Sequence, residues 1–325
     1  MSGDTPREPA FCAPSRSELC CREGAPTISG MNADLDELLA AQGGVATAAQ
    51  VRKFLTRREL EVHLNCGALQ RIWYGVYCRD TPTTAQRLRG LDLAAGTTVA
   101  ACMGTAAAAY GFDTEQTSEV HVLNPVHRQL RTAPGLVVHR RNGAPLKLLA
   151  GRPVTTPAWT AVEVARTLRR PRTLATLDAA LRSTTCSRGD LARVVELQAG
   201  RRGIAHVREL LSLASPLAES PMESEARLVM IDGGLPTPLL QYEIVDLSGK
   251  VRRFDFAWPQ YRLLAEYDGV GWHSGPAAFF NDRERWTAAQ DLNWVVVPIV
   301  AEDVRRYPAD LVRRLRARME RAMAA

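Results

Sequence analysis

The chain has 325 residues, more than one compact core usually holds, so two or three domains are expected. Its composition, 46% apolar and 23% charged, is that of a globular protein and excludes a chain that is disordered throughout. A net charge of +6 tilts it mildly toward polyanions and, taken alone, excludes little else. Residues 1–30 are rich in Pro, Ser, Gly and charge without periodicity, so a disordered leader is expected and Met31 is a candidate start. Order is expected to begin with a short helix at 34–39, stopped by Gly43-Gly44. Thr47 with Gln50 and Thr56 with Glu59 each read as a capping box that opens a further helix. After Gly67, residues 69–77 read as two short strands around Gly75.

Three helices and a hairpin within about fifty residues are the plan of a winged helix-turn-helix, assigned here to 31–82. Between residues 51 and 90 the cations Arg52, Lys53, Arg57, Arg58, Arg71, Arg79, Arg87 and Arg89 face Glu59, Glu61 and Asp80, eight against three, a local excess of +5. That concentration is nearly the whole surplus of the chain and favours phosphate contact. The stretch GGVATAAQVRKFLTRRELEVHLNCGALQRIWYGVYC resembles the N-terminal domain of AbiEi-type antitoxins. The resemblance implies a DNA-binding or autoregulatory role. It makes 57–65 the reading helix, with Arg71 at the wing.

From 83 to 200 an α+β middle domain is expected. Alanine-rich helices at 86–95 and 104–110 precede β-like runs at 120–123 and 136–139, and helical stretches follow from about 158 to 199. This part resembles the region that follows the winged helix in antitoxin-like proteins. His121 and His139 fall in its apolar strands, where packing is the expected role. Seven cysteines, at 12, 20, 21, 66, 78, 102 and 186, include no C-x-x-C pair, which argues against a disulfide framework or a zinc site and fits a reducing cytoplasm. No signal-like apolar region opens the chain, and the run 93–109 is too weakly apolar to span a bilayer, so no membrane partner is expected.

The last part, 201–325, reads as a helix at 223–231, strands at 241–245, 251–257 and 262–267, a helix at 279–292, a strand at 294–300 and an arginine-studded helix at 308–324. The stretch 252–285, RRFDFAWPQYRLLAEYDGVGWHSGPAAFFNDRER, carries the chemistry. Strict alternation sends Phe254, Phe256 and Trp258 to a core and Asp255 away from it, while Glu266 and Asp268 share a side. Asp255, Glu266, Asp268 and His273 fall within nineteen positions, and Glu223 stands on the preceding helix. Carboxylates crowded in this way repel unless a proton or cation intervenes, and Mg²⁺ takes such oxygen ligands readily.

The pattern D-x(10)-E-x-D-G-x(3)-H, followed by D-R-x-R and W-x-V-V, resembles the PD-(D/E)XK nuclease superfamily, in the branch similar to the very-short-patch repair (Vsr) endonucleases, over residues 220–318. The resemblance implies a restriction-endonuclease-like α/β domain cleaving phosphodiesters with Mg²⁺ or Mn²⁺. Asp255 and Glu266 match the metal-binding carboxylates, Glu223 the helical acid, and His273 a ligand or general base. Asp282 and Arg285 match supporting and phosphate-contacting positions, and Asp268 stands where the superfamily has lysine. The expected protein is thus a DNA-binding, Mg²⁺-dependent endodeoxyribonuclease with DNA as substrate and a cognate toxin or repair protein as a candidate partner. The alternative is a non-enzymatic, antitoxin-like transcriptional regulator with a degenerate nuclease domain.

Overall fold

A computed structural model describes residues 33–112, 115, 118–126, 129–140, 143–269 and 276–324; of the side chains at 276–282 nothing is described. The expected leader at 1–30 and His273 lie outside the described residues. The protein mixes helix and strand and divides into two compact units, 1–99 with 125–130, and 100–124 with 131–325.

The first unit runs α1 (Ala33–Ala41), β1 (Val45–Thr47), α2 (Ala48–Val51), α3 (Arg57–Asn65), β2 (Gln70–Trp73), β3 (Val76–Cys78) and α4 (Thr84–Ala95). Both expected capping boxes form. Thr47 Oγ1 accepts from Gln50 N, Thr56 Oγ1 accepts from Glu59 N at 3.3 Å, and Glu59 Oε2 accepts from Thr56 N at 2.7 Å. Those bonds from Thr56 hold the Glu59 carboxyl below its ordinary range. The short strand β1, absent from the sequence reading, pairs with β3 to give an antiparallel sheet in the order β1-β3-β2. Leu35, Leu39, Val51, Leu55, Leu60 and Leu69 fill the core between helices and sheet. Loss of a cap costs about 1 kcal/mol. Thr56→Ala is therefore expected to lower stability by that amount in chemical denaturation followed by circular dichroism, and no measurable change would contradict the capping assignment.

The second unit begins with α5 (Met103–Tyr110), parallel strands β4 (Val120–Leu123) and β5 (Leu136–His139), and a hairpin of β6 (Leu146–Leu149) and β7 (Arg152–Thr155). The hairpin escaped the sequence reading. Its turn places Ala150 and Gly151 both in the left-handed region, φ 47° and 79°, without the Asn-Gly or Asp-Gly signature of such turns, and Pro153 weakens the strand signal. Helices α6 (Pro157–Ala165), α7 (Arg170–Arg182), α8 (Arg188–Leu197) and α9 (Ile204–Leu211) then share one core, built from Trp159, Val162, Leu174, Leu177, Leu191, Val207 and Leu210.

Next, α10 (Pro221–Asp232) leads into β8 (Leu239–Val245), β9 (Val251–Trp258) and β10 (Leu263–Tyr267), and then α11 (Pro276–Asp291), β11 (Val295–Ile299), α12 (Ala301–Arg305) and α13 (Pro308–Ala324). The four strands form one sheet in the order β11-β10-β9-β8, antiparallel except for β11, which lies parallel to β10 because α11 carries the chain back across it. One face packs Phe256, Trp258, Leu263 and Ala265 against Ala226 and Met230 of α10 and Leu311 and Leu315 of α13. The other face packs Phe254, Ala257 and Leu264 with Ala289 of α11 and Trp294. Leu228 of α10 belongs to the α6–α9 core, so α10 is shared between the helical core and the sheet.

Phe254 and Phe256 thus lie in different cores, which corrects the alternation expected from the sequence. Opposite Asp255 on β8 stands Gln241, whose φ is 49° and whose pair is missing between Leu240↔Phe256 and Tyr242↔Phe254. A non-glycine residue in that region costs roughly 1–2 kcal/mol, so the surrounding contacts hold it there.

Candidate functional site

The β9–β10 ladder ends at Phe256↔Ala265, and the strands then part around Asp255. Its Oδ2 accepts the backbone N–H of Tyr267 at 2.8 Å, taking the place of a ladder bond. Its Oδ1 accepts from Gln241 Nε2 at 3.3 Å, and the same nitrogen donates to Glu223 Oε2 at 3.0 Å. Glu223 is fixed at the start of α10: its N–H donates to the cap Ser220 Oγ, and its Oε2 also accepts from Glu219 N at 2.8 Å. One neutral amide therefore bridges two carboxylates.

Glu223 is 7% exposed. Burial, followed by the Asp255 charge, pushes its carboxyl up to about 7. Burial raises Asp255 as well, against the opposing pull of the Tyr267 N–H, Gln241 and the Arg285 charge. Glu266 is placed differently. It accepts a hydrogen bond from Arg285 Nη2 and another from Trp286 Nε1 at 3.2 Å, both from α11, and the Arg285 guanidinium lies over the Phe254 ring. Asp268 is exposed just beyond β10, its backbone N–H bonded to Ile299 O.

Asp255 and Glu266 are the next residues after the last ladder pair, Phe256↔Ala265, and Arg285, which bonds Glu266, also acts on Asp255 through its charge, whereas Asp268 lies exposed beyond the strand end. Asp255 meets Glu223 through Gln241, Glu266 turns to α11, and Asp268 faces solvent. Among the described residues, no three His, Cys, Asp or Glu side chains are grouped to hold a metal ion. Asp282 falls on α11 within 276–282, where side chains are not described. A hard divalent cation needs only one or two carboxylates, with water completing its shell. Glu223 and Asp255 meet that requirement: their oxygens reach a common atom, and their mutual repulsion is what a cation would relieve.

Sequence reasoning missed Gln241 and Trp286. The signal for Gln241 was an amide in the middle of an otherwise apolar strand, LLQYEIV. In the middle region, His121 Nδ1 and His139 Nε2 lie 2.9 Å apart on neighbouring strands, a stacked pair, and burial lowers the His121 pKa.

In the first unit, α3 buries Leu60 and His63 and exposes Arg57 and Arg58, with Arg52 and Lys53 exposed just before it. Arg57 pairs with Glu61 at 3.2 Å, and exposed Arg71 on β2 lies 5.9 Å from the Tyr77 ring centre. At the β2–β3 turn, Tyr74 is exposed beside Gly75, whose φ of 71° makes the tight turn.

Comparison with known proteins identifies residues 99–213 as matching the AbiEi antitoxin C-terminal domain. That span runs from the lead into α5 to the end of α9, and it agrees with the antitoxin-like reading of the middle region. No helix among the described residues is long and apolar enough to cross a membrane. Two relatives from Mycobacterium tuberculosis strains, "Uncharacterized protein MT2308" and "Uncharacterized protein Rv2248", are each 54% identical to this chain over 271 residues, 83% of the chain and all of each relative. With that identity over the whole of both relatives, the chain belongs to the family they represent, and it carries an AbiEi-antitoxin-like domain at 99–213.

Proposed function

We propose that the protein is a DNA-binding protein related to the AbiEi antitoxins, and that its C-terminal sheet is a PD-(D/E)XK-type, divalent-metal-dependent endonuclease domain. The observation that carries the reading is the pairing of buried Glu223 with half-buried Asp255 through Gln241, because two neighbouring carboxylates held by neutral donors alone at such burial are unfavourable in a merely structural site. The helix, three antiparallel strands, crossover helix and parallel strand around that pair support it. The first unit would bind DNA as a winged helix-turn-helix, with Arg52, Lys53, Arg57 and Arg58 on or beside the reading helix and Arg71 on the wing. Its helix-and-hairpin order and exposed cations support this.

In this reading Asp255 and Glu223 hold Mg²⁺ or Mn²⁺, with Glu266 as a further ligand. The bound ion supplies Lewis-acid polarisation of the phosphoryl oxygen and a more acidic water. Arg285, moving from Glu266 to the substrate, balances charge on the phosphate. His273 accepts the proton of the attacking water, and Asp282 orients it.

The test is incubation of supercoiled plasmid with Mg²⁺ or Mn²⁺, with EDTA as control. Nicking by the wild-type chain and its loss in Asp255→Ala are expected. No nicking with either ion would overturn the enzymatic reading. A second reading, a non-enzymatic regulator that binds DNA and a cognate toxin or repair protein, is favoured by one observation: Glu266 already has its cation in Arg285.

A further inference from the structure

Two residues beyond Glu223, α10 carries a second buried acid. Glu225 is 1% exposed, yet its oxygens receive three guanidinium groups. Arg305 donates through Nε at 3.2 Å and Nη2 at 3.0 Å, Arg172 through Nη1 at 3.1 Å, and Arg169 through Nη2 at 3.4 Å. Arg172 also pairs with Glu115 at 2.5 Å. Three guanidinium groups thus meet the carboxylates of Glu225 and Glu115, with Glu302 and Asp268 in electrostatic reach of the adjacent Tyr267. Two of the guanidiniums face outward: the side chains of Arg169 and Arg305 are 57% and 48% exposed, whereas those of Arg172 and Glu225 are nearly covered. A buried acid that gathers arginines and leaves two of them facing water presets their donors for an outside anion, and the planar fork of arginine suits phosphate.

The position of the cluster sharpens this. Arg305 closes α12, which β11 enters directly, and Tyr267, whose phenol lies within electrostatic reach of Arg305 and Glu225, ends β10. Ligands of open α/β sheets sit at the carboxyl ends of parallel strands, and here β10 and β11 end together. The backbone N–H of the same Tyr267 holds Asp255.

We propose that Arg169, Arg172 and Arg305, gathered by Glu225 of the helix that also carries Glu223, form a seat for a backbone phosphate of duplex DNA. The choice of DNA rests on the function proposed above. Because Arg169 and Arg172 come from the antitoxin-like region, that region becomes part of the nucleic-acid grip.

The experiment is a titration of labelled duplex DNA with the full chain, read by fluorescence anisotropy in EDTA across a series of KCl concentrations. The double variant Arg169→Gln/Arg305→Gln is expected to bind about 10-fold more weakly, with a salt slope shallower by about 1, the loss of one phosphate contact. Arg169→Gln alone, at a half-exposed position, should weaken binding about 3-fold without loss of fold. Glu225→Gln, which removes the charge that gathers the arginines but keeps all three cations, should weaken binding about 3-fold with little change of salt slope. A purely structural cluster predicts instead that Arg169→Gln, the double variant and Glu225→Gln, where folded, all keep the affinity and slope of the wild-type chain, and this result would overturn the seat. Inorganic phosphate distinguishes the sources. A rise in melting temperature with phosphate, combined with unchanged DNA affinity in the double variant, assigns the cluster to a free anion and overturns the DNA seat. Absence of DNA binding by the wild-type chain, or a folded double variant with unaltered affinity and slope, overturns it too. Failure of the nuclease reading shows separately, as absent nicking with the salt slope intact.

Discussion

Asp178→Ala is expected to lower stability by about 3–5 kcal/mol, the usual cost of stripping one partner from a buried ion pair. Asp178 on α7 is 0% exposed. It accepts from Arg227 Nη2 at 2.6 Å and Ser224 Oγ at 2.7 Å, both on α10, and from the backbone N–H of Ser215 at 2.7 Å. Removing it leaves the Arg227 guanidinium buried, with only the Leu213 carbonyl accepting from its Nη1 among these contacts. The pair therefore fastens the antitoxin-like helices to the helix that presents Glu223. Differential scanning calorimetry should show a melting temperature lower by roughly 6–20 °C, at about 2–4 °C per kcal/mol for a unit of this size. Asp178→Leu/Arg227→Met, which removes both charges, should recover much of the loss. A change below about 1 kcal/mol in Asp178→Ala would mean that the pair does not fasten the two helices.

Glu223→Gln is expected to act in the opposite direction, and only above mid-acid pH. The folded state holds the Glu223 proton up to about pH 7, against an ordinary value of 4.5. Between those values the folded chain binds more protons than the unfolded chain, so stability falls as pH rises from about 4.5 to about 7 and stays low above that. The shift corresponds to roughly 3 kcal/mol. The glutamine variant should match wild type near pH 4.5 and exceed it by that order at pH 8. Asp255, also raised by burial, leaves a slope of the same sign in the variant. Urea denaturation of both proteins from pH 4.5 to 8 checks this, and parallel curves would refute the strain between the two acids.

The fold was legible wherever local chemistry decides it. The capping pairs Thr47/Gln50 and Thr56/Glu59 marked two helix starts, and the strands at 120–123, 136–139 and 251–258 lie where period and composition put them. It was illegible where tertiary contacts override the local pattern. The left-handed turn at Ala150-Gly151 and the left-handed Gln241 both run against residue preference, and each hid a feature: the β6–β7 hairpin in one case, and the missing β8–β9 pair opposite Asp255 in the other. The candidate site was half legible. Its acids could be named from spacing, but spacing could not show that Glu266 turns to Arg285 or that Asp255 joins Glu223. Those pairings depend on how α10 and α11 lie on the sheet. The Glu225 cluster was illegible for the same reason, since its three arginines are scattered over 137 positions from 169 to 305.

The enzymatic function proposed for this protein requires the Glu223–Asp255 pair to accept a divalent cation. Isothermal titration of the full chain with Mn²⁺ at pH 8 should show one site per chain, abolished in Asp255→Asn and weakened at least 10-fold in Glu223→Gln, while both variants remain folded. A wild-type chain that takes up no Mn²⁺, or an Asp255→Asn variant that binds it unchanged, would contradict it.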